Sequence, residues 1–338
     1  MSTFAIAETQ GSPSSHWRIY AMLAAALAVA VLASLLLGYR IYSPADLWLA
    51  LTGFDGSETH IVIRDHRIPR AIIAPICGAA LGVAGVIIQT LARNRIASPD
   101  TLGVNAGASL AVVAASTLFG ISSIAALSVA SATGALLTSL LVFAIASTAG
   151  GLSPLRIVLI GVTIAGLFHA LVEVVLTVRE AELDQLLFWL SGAFVDRPLA
   201  LAAGGSLFVL VGLALAFSLV RPLDIMLTDD ATARTLGVPV ALVRAGCIVC
   251  ISLLTGASVA MAGPVTFVGL VVPHAARKLV GLRHGAQITA AALCGALYAT
   301  LADVIARFVI YPLEAPVGAV TAVVGGVLLI VLLRGRAA

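Results

Sequence analysis

Charge is scarce in this sequence. Only 10% of its 338 residues are Asp, Glu, Lys or Arg, against 61% apolar, where water-soluble domains carry about a quarter charged residues. With a mean hydropathy of +1.12, a surface bathed by water on all sides is excluded. No GxxxxGK[ST] phosphate loop occurs, so any ATP-driven step needs its ATPase on another chain. No HExxH is present, and no Ser/His or paired-Asp set suited to facing helices is evident, which argues against an intramembrane enzyme. The four cysteines, Cys77, Cys247, Cys250 and Cys294, all fall in apolar runs. Cys247 and Cys250 have CxxC spacing but lack the polar setting and second ligand pair of a zinc or redox site. They read as packing residues, and no catalytic residue, metal, cofactor or nucleic-acid partner is expected.

What the chain has instead is long uncharged runs. They cover 19–39, 71–92, 101–155, 198–220, 245–276, 284–302 and 315–333. A run of about 20 residues spans the hydrocarbon core as a helix. The run 101–155 is too long for one crossing and breaks at Gly120-Ile121-Ser122-Ser123; the run 245–276 breaks at Gly263-Pro264. Segment 157–178, apolar apart from His169 and Glu173, adds another. An all-α membrane protein of about ten transmembrane helices is therefore expected. The first 16 residues lack the basic start of a secretory signal, so the first apolar run reads as a retained anchor. The connection 39–66, with Trp48 and the turn-rich FDGSETH, reads as a loop, and 179–194 as an amphipathic outer segment, partly helical.

Orientation follows from Arg and Lys. With ten spans and both ends on one side, twelve basic residues fall inside and seven outside, which supports cytoplasmic tails at 1–18 and 335–338. Three of the outer seven, Arg64, Arg67 and Arg70, crowd into one short patch.

A charge near the bilayer centre costs about 2.5–3.5 kcal/mol or more, so each one needs a reason. Asp303 and Arg307, at i and i+4, can pair on one helix face, with Arg307 nearer the outer end and open to outside partners. His169 and Glu173, also i and i+4, read as a hydrogen-bonded pair lining a wet cavity, two ligands being too few for a metal. His274 reads as a membrane-interface residue. The connector 221–244 mixes apolar positions with a charged face of Asp229, Asp230 and Arg234, and reads as a short surface helix stopped by Gly237 and Pro239.

Five stretches in order carry a family resemblance: RIPRAIIAPICGAALGVAGVIIQTLARNRIASPDTLGVNAGASLA (67–111), LLFWLSGAF (186–194), LTDDATARTLGV (227–238), GPVTFVGLVVPHAARKLVG (263–281) and ADVIARFVIYPLEAPVGAVTAVVGG (302–326). Together they resemble the permeases of ferric-siderophore, ferric-citrate and cobalamin importers, the membrane subunits of type II ATP-binding-cassette importers. The resemblance implies one permease domain, 19–334, in the bacterial inner membrane. It implies a second permease subunit, identical or a sister, two separate ATPase subunits and a periplasmic substrate-binding protein. Spans 2–5 and 7–10 are implied to be inverted repeats. Arg67, Arg70, Arg307 and Glu314 occupy positions implied to dock the binding protein. Asp224, Leu227, Asp229, Asp230, Ala233, Arg234, Leu236 and Gly237 match the helices that couple to the ATPase. Two departures stand out: Arg95 replaces a usual proline, and GGVLLIV (325–331) replaces a Gly-x-Pro-x-Phe pattern. ASPDTLGVNAGASLA resembles the iron-chelate branch more than the cobalamin branch; a cobalamin or haem permease, or an ion-coupled transporter, is the alternative.

Overall fold

The computed structural model describes residues 13–148, 153–178, 190–310 and 313–334. Among these, the chain is helical throughout, with one isolated bridge between Ile310 and Leu313. Seven helices are long and apolar enough to cross a membrane, two shorter apolar helices join them, and with Val268–Val280 they make up the expected set of about ten. The elements are α1 (Pro13–Leu36), α2 (Pro44–Thr52), α3 (Glu58–Leu91), α4 (Val104–Phe119), α5 (Ile124–Thr148), α6 (Pro154–Val178) and α7 (Leu199–Ser218). They continue with α8 (Val220–Ile225), α9 (Asp230–Thr235), α10 (Val240–Ala262), α11 (Val268–Val280), α12 (His284–Val309) and α13 (Val317–Arg334).

The long uncharged runs divide where glycine lets the backbone turn. Gly120 ends α4 at φ 63°, and Gly263 ends α10 at φ 75°, left-handed values that other residues adopt at a cost. The stretch 39–66 is more ordered than a loop. Ser43 and Asp46 form a reciprocal capping box that starts α2. α3 then begins at Glu58 and runs 34 residues, with a π-helical stretch at Val62–Arg67. RIPR therefore lies inside a helix and does not precede one. α1 likewise starts at Pro13, within the expected tail. Residues 1–12 and 335–338 lie outside the described residues, as do 179–189 and with them the start of the LLFWLSGAF motif.

α3 is the axis of the bundle. Its most apolar window is 78% buried, against 11% for α1 and 22% each for α6 and α7, so the core is built around α3 with α10 and α12 against it. Small residues make that packing possible. A Cβ on Gly78 would lie 2.1 Å from the Gly295 carbonyl oxygen of α12, and one on Gly85 2.1 Å from that of Gly269 in α11. The backbones touch directly, as membrane helices do where no larger side chain intervenes.

Gly78→Val should therefore push α3 off α12. Overpacking of this kind costs about 1–3 kcal/mol, read as a lower melting temperature in detergent. Gly326→Ala, whose added Cβ meets nothing within 4 Å, serves as the control. Equal melting of both variants would contradict the contact.

Candidate functional site: charged clusters at the two ends of α3

At one end of α3, Arg70 reaches across to α12. Its Nη2 and Nε donate to Asp303 Oδ1 at 2.7 and 3.2 Å, and its Nη1 donates to Glu314 Oε2 at 2.5 Å. Arg307, one turn beyond Asp303, donates to the other carboxylate oxygen, Oδ2. Asp303 is 0% exposed and Arg307 2% exposed, so this is an ion cluster away from water. The remaining donors of Arg307 go to α1: Nη1 to the carbonyls of Ser34 and Leu37 at 2.5 and 2.7 Å, and Nη2 to Ser34 Oγ at 2.7 Å. Arg67 also donates to the Leu37 carbonyl, lies over Tyr42 at 5.7 Å and presses against Gly38, leaving no room there for a Cβ. Helix C-termini expose carbonyls that lack intrahelical partners and carry partial negative charge. Two guanidiniums satisfy both needs for α1.

This geometry differs from one expectation. Arg307 is not open to outside partners: its terminal nitrogens are committed to Asp303 and α1, and Arg67 and Arg70 are buried beside it. Of the four residues expected at the docking face, Glu314 alone keeps substantial exposure, 34% of its side chain. Arg64 and the Arg40–Glu58 pair, at 3.2 Å, are exposed nearby in the same stretch.

The opposite end carries α8 and α9. Asp229 caps α9, accepting from the Thr232 N–H and Oγ1 at 2.8 Å each. These bonds hold the Asp229 carboxyl below the usual carboxylate range. Because the folded group binds its proton less readily than the unfolded one, the cap contributes at neutral pH and is lost only as pH falls through that lowered value. Asp230 joins two arginines that the spacing alone does not connect to it, Arg93 at 2.9 Å and Arg244 at 2.6 Å. Asp224 accepts from the His284 backbone N–H at 2.9 Å and meets its Nδ1 at 2.7 Å, while Nε2 faces Thr90 Oγ1 at 2.9 Å. The segment is thus tied to the ends of α3, α10 and α12. Its outer surface remains free: Leu227 and Leu236 are 51% and 65% exposed, Arg234 is exposed, and Gly237 turns at φ 80° with open space around it. Ala233 faces inward, fully buried.

Between the two ends lies a cavity of about 440 Å³, lined by Asp100, Asn105, Ser109, His169 and Thr266 among others. His169 lines it as expected, close enough to Asp100 to act on its charge, but His169 and Glu173 share no hydrogen bond and Glu173 is exposed. His274 is not an interface residue either. It is 5% exposed, with Nδ1 2.9 Å from the Leu270 carbonyl. The four cysteines are free, Cys77, Cys247 and Cys250 being buried. Among the described residues no group of three or more His, Cys, Asp or Glu could hold a metal.

Comparison with known proteins supplies the family. The model of the FecCD transport family matches residues 26–335. The chain belongs to that family. It is 36% identical to the probable siderophore transport system permease protein YfiZ of Bacillus subtilis over 313 residues, 92% of this chain and 94% of that one. It is 37% identical to the ferric enterobactin transport system permease protein FepD of Escherichia coli, covering 92% and 93% of the two chains. The Fe(3+) dicitrate permease FecD of Escherichia coli is 36% identical over 80% of this chain and 84% of its own. Among solved structures, an inward-facing metal-chelate type ABC transporter superposes with a TM-score of 0.83 at 28% identity, covering 94% of this chain and 99% of that one. A FecCD chain is a transport permease subunit of an ATP-binding-cassette importer and not an enzyme, and the fold is that of a type II importer permease.

Within a FecCD permease, an ion cluster like that at Asp303 can be tested by removing its centre. Asp303→Ala leaves two buried guanidiniums short of a carboxylate, a change worth about 3–5 kcal/mol, whereas Arg40→Ala breaks only an exposed pair worth at most about 1 kcal/mol. Denaturant titration in detergent should separate the two variants by several kcal/mol; equal stabilities would contradict the assigned role of Asp303.

Proposed function

We propose that this FecCD permease carries an iron(III) chelate, a siderophore complex or ferric citrate, across the bacterial inner membrane. The observation that carries this reading is the near full-length match to permeases named for siderophore, ferric enterobactin and ferric dicitrate transport. In this reading two permease subunits enclose one pathway, a periplasmic binding protein delivers the chelate and two ATPases supply the work. The ATPases meet the α8–α9 segment, with Leu227, Arg234, Leu236 and Gly237 offering the exposed surface and Asp224, Asp229, Asp230 and Ala233 anchoring it. That end is cytoplasmic, consistent with the arginine bias. The start of α1 and the end of α13 then also lie on that side, since α1 ends against Arg307 and α13 starts beyond Glu314 at the opposite end.

Binding-protein docking falls on the other end. Glu314, Arg40 and Arg64 make first contact, while Arg67, Arg70 and Arg307 lie beneath as positive ground that favours an acidic partner. Helix ends tied by charge can then pass a movement of α9 to the far face as rotation of a packed unit.

Reconstitution with the ATPase and binding protein tests the reading: radiolabelled ferric chelate should enter proteoliposomes only with ATP. Uptake driven by an ion gradient without ATP would overturn it. Leu236→Arg removes an exposed apolar anchor without touching the core. Such anchors are worth about 1–2 kcal/mol or more at interfaces, so ATP hydrolysis stimulated by the loaded binding protein should fall about tenfold. Unchanged stimulation would remove Leu236 from the coupling surface.

A further inference from the structure

The short helix α2 carries an apolar face at the Arg307 end of the bundle. Ala45, Trp48, Leu49 and Thr52 follow one another at helical spacing and are all exposed, as are Ile41 and Leu51. Trp48 keeps 67% of its surface and Leu51 58%. The opposite side of the helix is committed. Ala50 is fully buried in one cluster with Tyr42 and Ile63, against which Leu47 and Val62 pack. Exposed apolar side chains gathered in this way mark a surface that something else covers.

α1 and α3 fix the level of α2. The Tyr42 N–H donates to the Leu36 carbonyl at 3.0 Å, so the chain returns to the height at which α1 ends before Ser43 caps α2. Arg67 stands at the same height, donating to the Leu37 carbonyl and lying over Tyr42. The uncharged run that follows in α3, 71–92, is about 33 Å long as a helix, close to the thickness of the hydrocarbon core. The outer boundary of that core therefore falls beside Arg67 and Arg70. Ile63, which holds the far part of α2, is four residues above Arg67, about 6 Å along the axis. The nine residues of α2 measure about 13 Å. A helix of that length rising by about half as much lies nearer the membrane plane than the normal.

Two features choose the occupant of the apolar face. The first is continuity: α2 issues from α1, the least buried of the seven long spans, whose flank is open to lipid. The second is charge. Arg40, Asp46, Asp55, Glu58, Arg64 and Asp65 mix both signs over the stretch 40–65, so the attraction is apolar and not electrostatic. Tryptophan suits this level because its ring is apolar and its N–H polar.

The geometry points to α2 as an interfacial anchor: Trp48, Leu49 and Leu51 enter the headgroup–acyl boundary of the outer leaflet, and the phospholipid there is their partner. Through Tyr42 and Ile63 the anchor sets the depth of the π-helical stretch that carries Arg67. This needs only the membrane-spanning fold and is independent of the cargo.

Fluorescence quenching by lipid tests it. The assembled permease–ATPase complex is placed in phosphatidylcholine nanodiscs brominated either near the headgroup end or near the methyl end of the acyl chains. The Trp48 component is the wild-type signal minus that of Trp48→Phe. An interfacial helix sits about 5–10 Å into the boundary, so bromines near the headgroup should quench this component by about half or more, and bromines near the methyl end by clearly less. A component that neither lipid quenches overturns the inference, as does one quenched more by the deep bromines. A nitroxide at Leu49→Cys gives a second measurement that does not depend on the Trp48→Phe protein. Molecular oxygen, which concentrates in lipid, should collide with it more often than a water-soluble nickel chelate. The reverse order overturns the inference. So does shielding from nickel that appears only when the loaded binding protein is added, which would assign α2 to docking.

Discussion

One buried carboxylate organises the end of the molecule that faces away from α8 and α9. Asp303 accepts from Arg70 on α3 and from Arg307 on its own helix, and Arg307 in turn closes the C-terminus of α1. Three helices that touch elsewhere through small apolar residues are here joined by charge. Lone charges at this position would be expelled or neutralised; each is retained because the others are present. A buried ion cluster gives little net stability relative to a well-packed apolar one. It does fix register, since sliding α3 along α12 would separate Arg70 from Asp303. The glycine contacts alone would not resist such sliding, because small residues recur along the same face.

The other end repeats the arrangement with different residues. Asp230 holds Arg93 and Arg244, and Asp224 holds His284, which faces Thr90. α3 is thereby clamped at both ends, with backbone contact to α11 and α12 between. Between the clamps, α3 and α10 are each followed by an interruption, at Pro99–Gly103 and at Gly263-Pro264. Both interruptions contribute to the lining of the cavity. The parts divide accordingly into a clamped frame, the exposed face of α9 and an interrupted region that holds the cavity.

Much of this frame was legible from residue order. The uncharged runs gave the spans, and Gly120 and Gly263 marked the interior turns because a left-handed residue ends a helix at little cost when it is glycine. Asp303 and Arg307 could be paired on helical spacing. Their third partner could not: Arg70 lies 233 residues away in sequence, and nothing local points to it. The same distance problem hid Asp230 from Arg93, and Asp224 from His284. Arg307 looked accessible because it stands near a helix end, where long side chains usually reach water; the carbonyls of α1 hold it inside instead. The stretch 39–66 looked like a loop because FDGSETH is rich in turn formers, yet Ser57 caps the start of α3. His169 and Glu173 had the right spacing to pair, yet they share no hydrogen bond and His169 lines the cavity with Asp100.

Distances between spin labels on opposite ends of the clamped unit, at exposed Arg64→Cys and Leu282→Cys, measure rigidity through the transport cycle most directly. If charge at both ends makes α3 and its neighbours one body, the separation within a chain stays constant to within about 2 Å, while distances between the two permease subunits change as rigid-body rotation requires. A change within the chain of more than about 5 Å between nucleotide-free and ATP-bound states, on the scale of a one-turn helix shift, would contradict it.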